Sequence, residues 1–280
     1  WSFEFENRYY PDSDDTLAVL AVLRASGADR QRPEAWHRGL QWLLSMQSSN
    51  GGWGAFDRDN DREIWNRIPF ADHKSMLDPP TPDLTGRVLE LLGGLGYRTD
   101  FLPVQQGVTF LESEQEDDGT WFGRWGVNYL YGTWCALCGL RAAGYDMKSP
   151  RIRRAVAWLR SCQNEDGGWG ESCRSYDDPA LKGKGKSTAS QTAWGLMGLL
   201  AAGEVEDDAV KAGAAFLLRT QNRKGSWDEE AFTGNIYFDG TGFGGDGTAT
   251  DGNIVLGGYG QDRIFTGIGN DFISSSGLND

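Results

Sequence analysis

One short frame occurs four times along the 280-residue chain and constrains its fold more than any other feature. In each copy a Leu precedes a Gln by four positions, and a Trp follows that Gln by six. The copies read LLSMQSSNGGWG, LESEQEDDGTWF, LRSCQNEDGGWG and LLRTQNRKGSWD. Their frame residues are Leu43, Gln47 and Trp53; Leu111, Gln115 and Trp121; Leu159, Gln163 and Trp169; and Leu217, Gln221 and Trp227. Such recurrence predicts a fold that stacks one supersecondary unit on the next.

Each copy follows a run such as RRAVAWLRSCQ, whose apolar residues recur every three or four positions and indicate an amphipathic helix. The Gly that follows the Gln ends the helix and allows a turn. The Gln side chain can then bond the backbone of that turn, while the Trp ring packs back over the helix end. We therefore interpret the four frames as structural clamps that join successive repeats, and we number them first to fourth along the chain.

Further helical runs lie between the clamps, and each is closed by Gly: DLTGRVLELLGGLG, YGTWCALCGLRAAG and SQTAWGLMGLLAAG. Pairs of helices repeating every roughly 50 to 70 residues predict an all-α fold, an α/α toroid of inner and outer helices. Strand patterns occur only in about the last 50 residues.

Composition narrows the classes of function. The net charge of -13, with a pI near 4.6 and no basic cluster, argues against nucleic acid and anionic lipid headgroups as direct electrostatic partners and favours a neutral or cationic ligand. No run of about 18 apolar residues predicts a membrane span, and no basic, apolar leader precedes Trp1. Because WSFEFENRYYPD lacks an initiator Met, we expect the chain to be the later part of a longer parent.

The cysteines do not indicate a metal or redox site. Cys135, Cys138, Cys162 and Cys173 have only two histidines to join them, so a zinc ribbon is not expected. Cys135 and Cys138 have the spacing of a redox pair, but they lie in the apolar helical run LYGTWCALCGLRAAG. We interpret them as small core residues, and reduced thiols fit an intracellular origin.

Several motifs together resemble one family. The clamps look like the QW motifs of the squalene-hopene cyclase family, and YYPDSDDT resembles its DxDDTA signature, with Thr16 in place and Leu17 where Ala would stand. Other segments resemble the family in the family's order: IPFADH, DPPTPDLTGRVLE, GTWFGRWGVNYLYGT, GGWGESCRSYDDP and STASQTAWGLM. The resemblance covers about residues 1–234, and it implies the catalytic half of a class II terpene cyclase, which converts squalene to hopene or hopanol without a cofactor.

The resemblance gives the three crowded carboxylates their roles. Asp14 corresponds to the general acid that protonates the terminal alkene of squalene, and Asp12 and Asp15 support it. Like charges would keep the proton on Asp14, and a hydrogen bond to its other oxygen would make that proton more acidic. A structural alternative is that Asp12 or Asp14 caps a helix beginning near Asp15, where the helix dipole favours anions.

Arg87 stands where some members of the family have a His that partners the acid. A guanidinium accepts no proton from the motif, but it can neutralise Asp12 or Asp15 and donate hydrogen bonds. An ordinary surface or interhelix salt bridge is the alternative.

The resemblance also implies an aromatic cavity that stabilises carbocations. The implied cavity residues are Trp1, Phe3, Phe56, Trp125 and Tyr131. Phe56 takes a place that Tyr often holds in the family.

Two family features are missing. The family's second α/α barrel comes largely from an earlier half that this sequence lacks, and only DGTGFGGD, residues 239–246, echoes the aromatic ending. The resemblance implies a neutral, squalene-like polyisoprenoid substrate, peripheral attachment to the cytoplasmic face of the inner membrane, and a homodimer. We expect the chain alone not to enclose the cavity.

The last segment, GGYGQDRIFTGIGNDFISSSGLND, repeats every nine residues. It resembles the RTX nonapeptide, which winds a parallel β-roll around Ca²⁺. The implied turn glycines are Gly258, Gly260, Gly267 and Gly269. The implied calcium ligands are the carboxylates of Asp262 and Asp271, and the implied core residues are Ile264 and Ile273. We therefore divide the chain into a cyclase-like part, 1–234, and a calcium-binding tail, 235–280. Two good repeats are few for a roll, so a disordered tail is the alternative.

Three hypotheses follow. The first is the cyclase. The second is a non-catalytic cyclase relic that carries a calcium-binding module; RTX repeats usually mark secreted proteins, so this reading favours secretion, and a gene fusion or assembly artefact would also explain the tail. The third is a protein prenyltransferase β-subunit, which is also a toroid. That enzyme needs a zinc site of Asp, Cys and His, for which the chain has too few histidines.

Overall fold

The computed structural model describes residues 1–2, 9–60, 77–229, 254–257 and 272–275. Within these ranges the α-helices are α1 (Ser13–Ala25), α2 (Pro33–Ser45), α3 (Pro82–Gly94), α4 (Leu102–Glu114), α5 (Tyr129–Ala143), α6 (Pro150–Ser161), α7 (Ala189–Ala201) and α8 (Asp208–Thr220). Short 3-10 turns occur at Ala28–Arg30, Cys173–Tyr176 and Pro179–Leu181. No helix in the described ranges has both the length and the apolar character needed to cross a membrane.

The helices form two layers. The inner helices α1, α3, α5 and α7 pack side by side in chain order, and the outer helices α2, α4, α6 and α8 pack behind them. Leucine side chains with no exposed surface fill the space between the layers, among them Leu20, Leu89, Leu137 and Leu159. The arrangement confirms the predicted all-α fold of inner and outer helices.

Glycines allow α3 and α5 to approach closely. A Cβ atom built on Gly86 would lie 2.3 Å from the Cys135 carbonyl oxygen, and one on Gly139 would lie 2.3 Å from the Gly86 carbonyl oxygen. Only residues without a side chain fit at this helix contact. The contact places Arg87, the next residue on α3, close to the first turn of α5.

The first three clamps join one repeat to the next through their Gln side chains. Gln Nε2 donates to the carbonyl of the glycine four positions later, as the sequence predicts, and in three clamps also to the second residue of the next outer helix. These pairs are Gln47 with Gly51 and Pro103 at 2.8 and 2.9 Å, Gln115 with Gly119 and Arg151 at 3.0 Å each, and Gln163 with Gly167 and Ala209 at 2.8 and 2.9 Å. Gln221 donates to Gly225 at 2.9 Å.

The clamp tryptophans connect the two layers. Each Nε1 donates to the carbonyl of the clamp Leu, at 2.8, 2.7, 2.8 and 2.9 Å from the first clamp to the fourth. In the first three clamps the Trp backbone N–H also donates to a Thr hydroxyl of the following inner helix: Thr85, Thr133 and Thr192. Those three rings have no exposed surface, whereas Trp227 is 38% exposed. The clamp tryptophans are therefore structural, as predicted.

The cysteines are free thiols in or beside the core. Cys135 and Cys173 are buried, and Cys138 and Cys162 are partly buried against core side chains. Burial raises the pKa of Cys138 to about 12, so its thiol stays protonated at neutral pH. The interpretation of Cys135 and Cys138 as core residues is confirmed.

Two short strands belong to the tail, β1 (Ile254–Gly257) and β2 (Phe272–Ser275). They pair in parallel, with Ile254 opposite Phe272, so that paired residues lie two nonapeptide lengths apart. The proposed calcium ligands Asp262 and Asp271, together with the turn glycines, lie outside the described residues.

Candidate active site

Asp12 caps the first inner helix. Helix α1 begins at Ser13, two residues earlier than the predicted start near Asp15, and of the two predicted caps, Asp12 and Asp14, it is Asp12 that caps the helix. The buried Asp12 carboxylate accepts the backbone N–H of Asp15 at 2.7 Å, and its own N–H donates to the Trp1 carbonyl at 2.9 Å. Capping therefore accounts for Asp12, and it leaves Asp14 and Asp15 in the first turn of α1.

Asp14 forms an ion pair with Arg87. Arg87 Nη1 of α3 donates to Asp14 Oδ1 of α1, and the two side chains are 26% and 35% exposed. The sequence suggested Asp12 or Asp15 as the partner, and this is corrected: Asp12 turns toward its own helix, whereas Asp14 faces α3. The predicted alternative, a salt bridge between helices, is found, and the carboxylate that Arg87 pairs with is that of Asp14, the predicted general acid.

Opposing effects set the protonation of these carboxyls. Burial raises the pKa of Asp14, the Arg87 charge lowers it, and the charges of Asp83 and Asp15 raise it further, with a net increase. Burial is also the largest cause that raises the pKa of Asp12, to about 7. Like-charge crowding was expected to keep the proton on Asp14, whereas burial is the largest cause of its raised pKa.

The raised pKa of Asp12 predicts a pH dependence. A carboxyl that holds its proton in the folded chain after the unfolded chain has lost it makes stability fall as pH rises, here between about pH 4 and pH 7. Asp12→Asn keeps the cap and removes the ionisation, so we expect the fall in unfolding free energy over this range to shrink by on the order of 2 kcal/mol. Urea denaturation at several pH values measures it.

Asp29→Asn is the control for this experiment. The pKa of Asp29 is lowered by its hydrogen bond and ion pair with Arg24, so its ionisation does not weaken folding between pH 4 and pH 7. An Asp12 variant with the same pH dependence as the parent chain would show that Asp12 is already ionised at low pH.

Aromatic rings stand beside the Asp14–Arg87 pair. Burial lowers the pKa of Arg87, but the charge of Asp14 and the Tyr131 side chain more than offset this effect. The Tyr131 ring packs edge-on against Trp134 and Trp194, with centroids 5.5 and 4.9 Å away. Trp134 and Trp194 stack at 6.0 Å, and sequence reasoning did not single them out.

The other predicted cavity residues are placed as follows. Phe56 and Trp125 pack edge-on at 6.1 Å, and Phe56 is 43% exposed. Trp1 is 40% exposed, and its ring lies against Gly39 of α2. Phe3 lies outside the described residues. The structure thus places Asp14 with Arg87 and Phe56 with Trp125, and it locates Trp1 elsewhere.

Buried acids that sequence reasoning did not select hold the aromatic segments. Asp83 Oδ2 accepts the N–H groups of Arg124 and Trp125 at 2.9 Å each, and Asp78 Oδ2 accepts that of Phe56 at 2.5 Å. Burial raises the pKa of Asp78. Both acids occur in DPPTPDLTGRVLE, and acids beside prolines at the start of a buried helix were the available signal.

An open groove of about 610 Å³ lies toward the C-terminal ends of α3, α5 and α7. Glu90, one helical turn after Arg87, lines it together with Trp134 and Met197. No cluster of three His, Cys, Asp or Glu side chains suited to a metal occurs in the ranges that the structure describes. The zinc site that the prenyltransferase hypothesis requires is therefore not found in those ranges.

Comparison with known proteins decides the family. The model of the squalene-hopene cyclase C-terminal domain matches residues 1–244. The chain belongs to the squalene-hopene cyclase family. Curated relatives include the squalene-hopene cyclase of Zymomonas mobilis, 47% identical over 84% of this chain and 36% of the relative. That of Alicyclobacillus acidocaldarius is 48% identical over 88% and 38%.

This cyclase-family chain also resembles solved structures. The type II terpene cyclase MstE from Scytonema superposes with a TM-score of 0.58 at 22% identity, over 81% of this chain and 60% of that protein. At that identity the likeness shows the toroid fold alone. The chain spans little more than a third of the length of the curated relatives it matches.

Proposed function

We propose that this chain is the proton-donating region of a squalene-hopene cyclase, with Asp14 as the general acid. The observation that supports the proposal is the half-buried Asp14 in the first turn of α1, bonded to Arg87 and close to Tyr131. The Asp14 proton would move to the less substituted carbon of the terminal alkene, where the π electrons form the new C–H bond and leave a tertiary cation on the neighbouring carbon. Successive alkenes then attack the cation, and the last cation loses a proton or adds water.

Burial and Arg87 have complementary effects on this step. Burial raises the pKa of Asp14, which favours the protonated carboxyl that a general acid requires. Once the proton has left, the Arg87 guanidinium stabilises the new carboxylate with a charged hydrogen bond that is already in place. Asp12 supports the donor by capping α1, which fixes the turn that carries Asp14 and Asp15.

Aromatic side chains provide the remaining chemistry. The faces of Trp125, Tyr131 and Phe56 would stabilise cations without reacting with them, and a closed wall would exclude the water that quenches cations. The reaction is an isomerisation or hydration, which needs no redox cofactor. Because the substrate is an apolar polyene, peripheral attachment to a membrane surface is part of the proposal, and so is the homodimer.

A fusion protein tests the proposal. Residues 1–234 would replace the matching region of the Alicyclobacillus acidocaldarius relative, which is 48% identical. We expect the fusion to convert squalene to pentacyclic products, detected by mass spectrometry, and the 280-residue chain alone to yield none, because its cavity lacks the rest of the enzyme. A fusion that folds but makes no pentacycles would contradict the proposed function. Pentacycles from the 280-residue chain alone would show that its cavity is complete without the rest of the enzyme.

The parallel pairing of β1 and β2 supports a second function, calcium binding by the tail. A register of two nonapeptides is what a β-roll requires, and Asp262 and Asp271 are the proposed oxygen ligands. In this alternative the chain is a non-catalytic relic. Circular dichroism of the 280-residue chain tests the second function. A strand signal that grows with Ca²⁺ and not with Mg²⁺ would support calcium binding by the tail, and an unchanged signal would oppose it.

A further inference from the structure

The segment from Arg124 to Gly126 is held along both edges by side chains. On one edge, Asp83 accepts the N–H groups of Arg124 and Trp125. On the other edge, the Tyr176 hydroxyl donates to the Gly126 carbonyl at 2.8 Å, and the Arg124 carbonyl lies 3.3 Å from the same oxygen. Side chains therefore replace the backbone ladder that a helix or strand would supply at this segment.

Packing fixes the orientation of Tyr176. The residue ends the 3-10 turn Cys173–Tyr176, in which the Ser172 hydroxyl accepts the N–H of Arg174 at 3.2 Å. Its ring packs edge-on against Phe122 at 5.7 Å, and Phe122 packs edge-on against Tyr129 at 5.9 Å. Because its ring is fixed, the hydroxyl can hold the segment with little loss of entropy.

The held segment controls two aromatic rings. Trp125 lies within it, and Gly126 lies directly against the other ring, since a Cβ atom on Gly126 would be 2.5 Å from Tyr131 Cγ. A shift of the Gly126 backbone would therefore move Trp125 and release the face of Tyr131. Both rings are placed in the cavity wall by the resemblance and stand near Phe56 and Arg87 respectively.

We propose that Tyr176 is a positioning residue whose hydroxyl fixes Trp125 and Tyr131 in the cavity wall. Its effect on catalysis rests on the proposed function. Cation–π attraction depends on distance and orientation, so a displaced ring stabilises a late cation less well. Water or proton loss then ends the cyclisation early, and Tyr176 thereby determines how many rings form.

Hydrogen exchange tests the structural part on the 280-residue chain itself. Tyr176→Phe removes the hydroxyl and keeps the ring, so we expect the amides of Arg124 and Trp125 to exchange roughly three- to tenfold faster. The matched control is Tyr145→Phe, which removes a hydroxyl that donates to Glu112 at 2.7 Å. The control should leave both amides unchanged. Unchanged exchange in the Tyr176 variant would overturn the proposal.

Product analysis in the fusion protein tests the catalytic part. We expect Tyr176→Phe to raise the ratio of mono- and bicyclic to pentacyclic products at least about threefold. A residue with only a structural role would lower all products in proportion. A constant product ratio would therefore overturn the positioning role. A parent fusion that makes no product at all would count against the proposed function, and exchange would still decide whether Tyr176 holds the segment.

Discussion

Asp14→Asn is expected to abolish squalene turnover in the fusion protein. An amide has the shape of the carboxyl but no transferable proton, so the initiating step loses its donor. General acids contribute about 10²- to 10⁴-fold to rate, and an alkene is too weak a base for water to replace the donor. Product formation by mass spectrometry, with circular dichroism to show an intact fold, measures the effect.

The matched control for Asp14 is Asp29→Asn. Asp29 also forms an ion pair with an arginine, Arg24, at 2.8 Å, but at the other end of α1. This substitution breaks an Arg–Asp pair without touching the proposed donor, so turnover should persist. Near-normal turnover in the Asp14 variant would place the acid elsewhere, and Asp12, whose pKa is raised to about 7, would be the next candidate.

Trp121→Ala is expected to cost about 3–5 kcal/mol of unfolding free energy, because it empties a site with no exposed surface. The matched comparison is Trp227→Ala. Its N–H makes the same bond to the clamp Leu, at 2.9 Å compared with 2.7 Å, but its ring is 38% exposed. We expect a cost of about 1–2 kcal/mol there, measured by urea denaturation.

The two clamp variants separate burial from hydrogen bonding. Equal costs at Trp121 and Trp227 would show that the shared N–H bond, and not burial of the ring, stabilises the clamp. The larger cost at Trp121 would assign the stability to burial between the layers, where its backbone N–H also reaches the Thr133 hydroxyl at 3.1 Å.

The sequence predicted the helices and clamps because their determinants are local. The spacing of Leu and Gln, with Gly in the turn that follows, already implies the bond from Gln47 to the turn at Gly51. The second bond of Gln47, to Pro103, joins residues 56 positions apart and could not be inferred from spacing. Local pattern thus determines each unit, whereas contacts between units depend on the packing of the helices.

The site was predicted less completely for the same reason. Asp14 and Arg87 are 73 positions apart. Arg87 pairs with Asp14 because the Asp12 carboxylate is turned toward the first turn of its own helix, which it caps. Asp83 and Tyr176 act through bonds to backbone groups, which every residue possesses. The residue types in the segment from Arg124 to Gly126 therefore give no indication that Asp83 and Tyr176 bond to it.

The direction of the clamp bonds has a consequence for synthesis of the chain. In the first three clamps the second bond of the Gln reaches forward, to a residue 56, 36 or 46 positions later, whereas the indole N–H of the Trp reaches back to a Leu already made. On the ribosome, a repeat can close its own Trp contact at once. Its Trp backbone N–H can bond the Thr of the next inner helix before its Gln can bond the next outer helix, which is made later, so the order of translation is also the order of assembly.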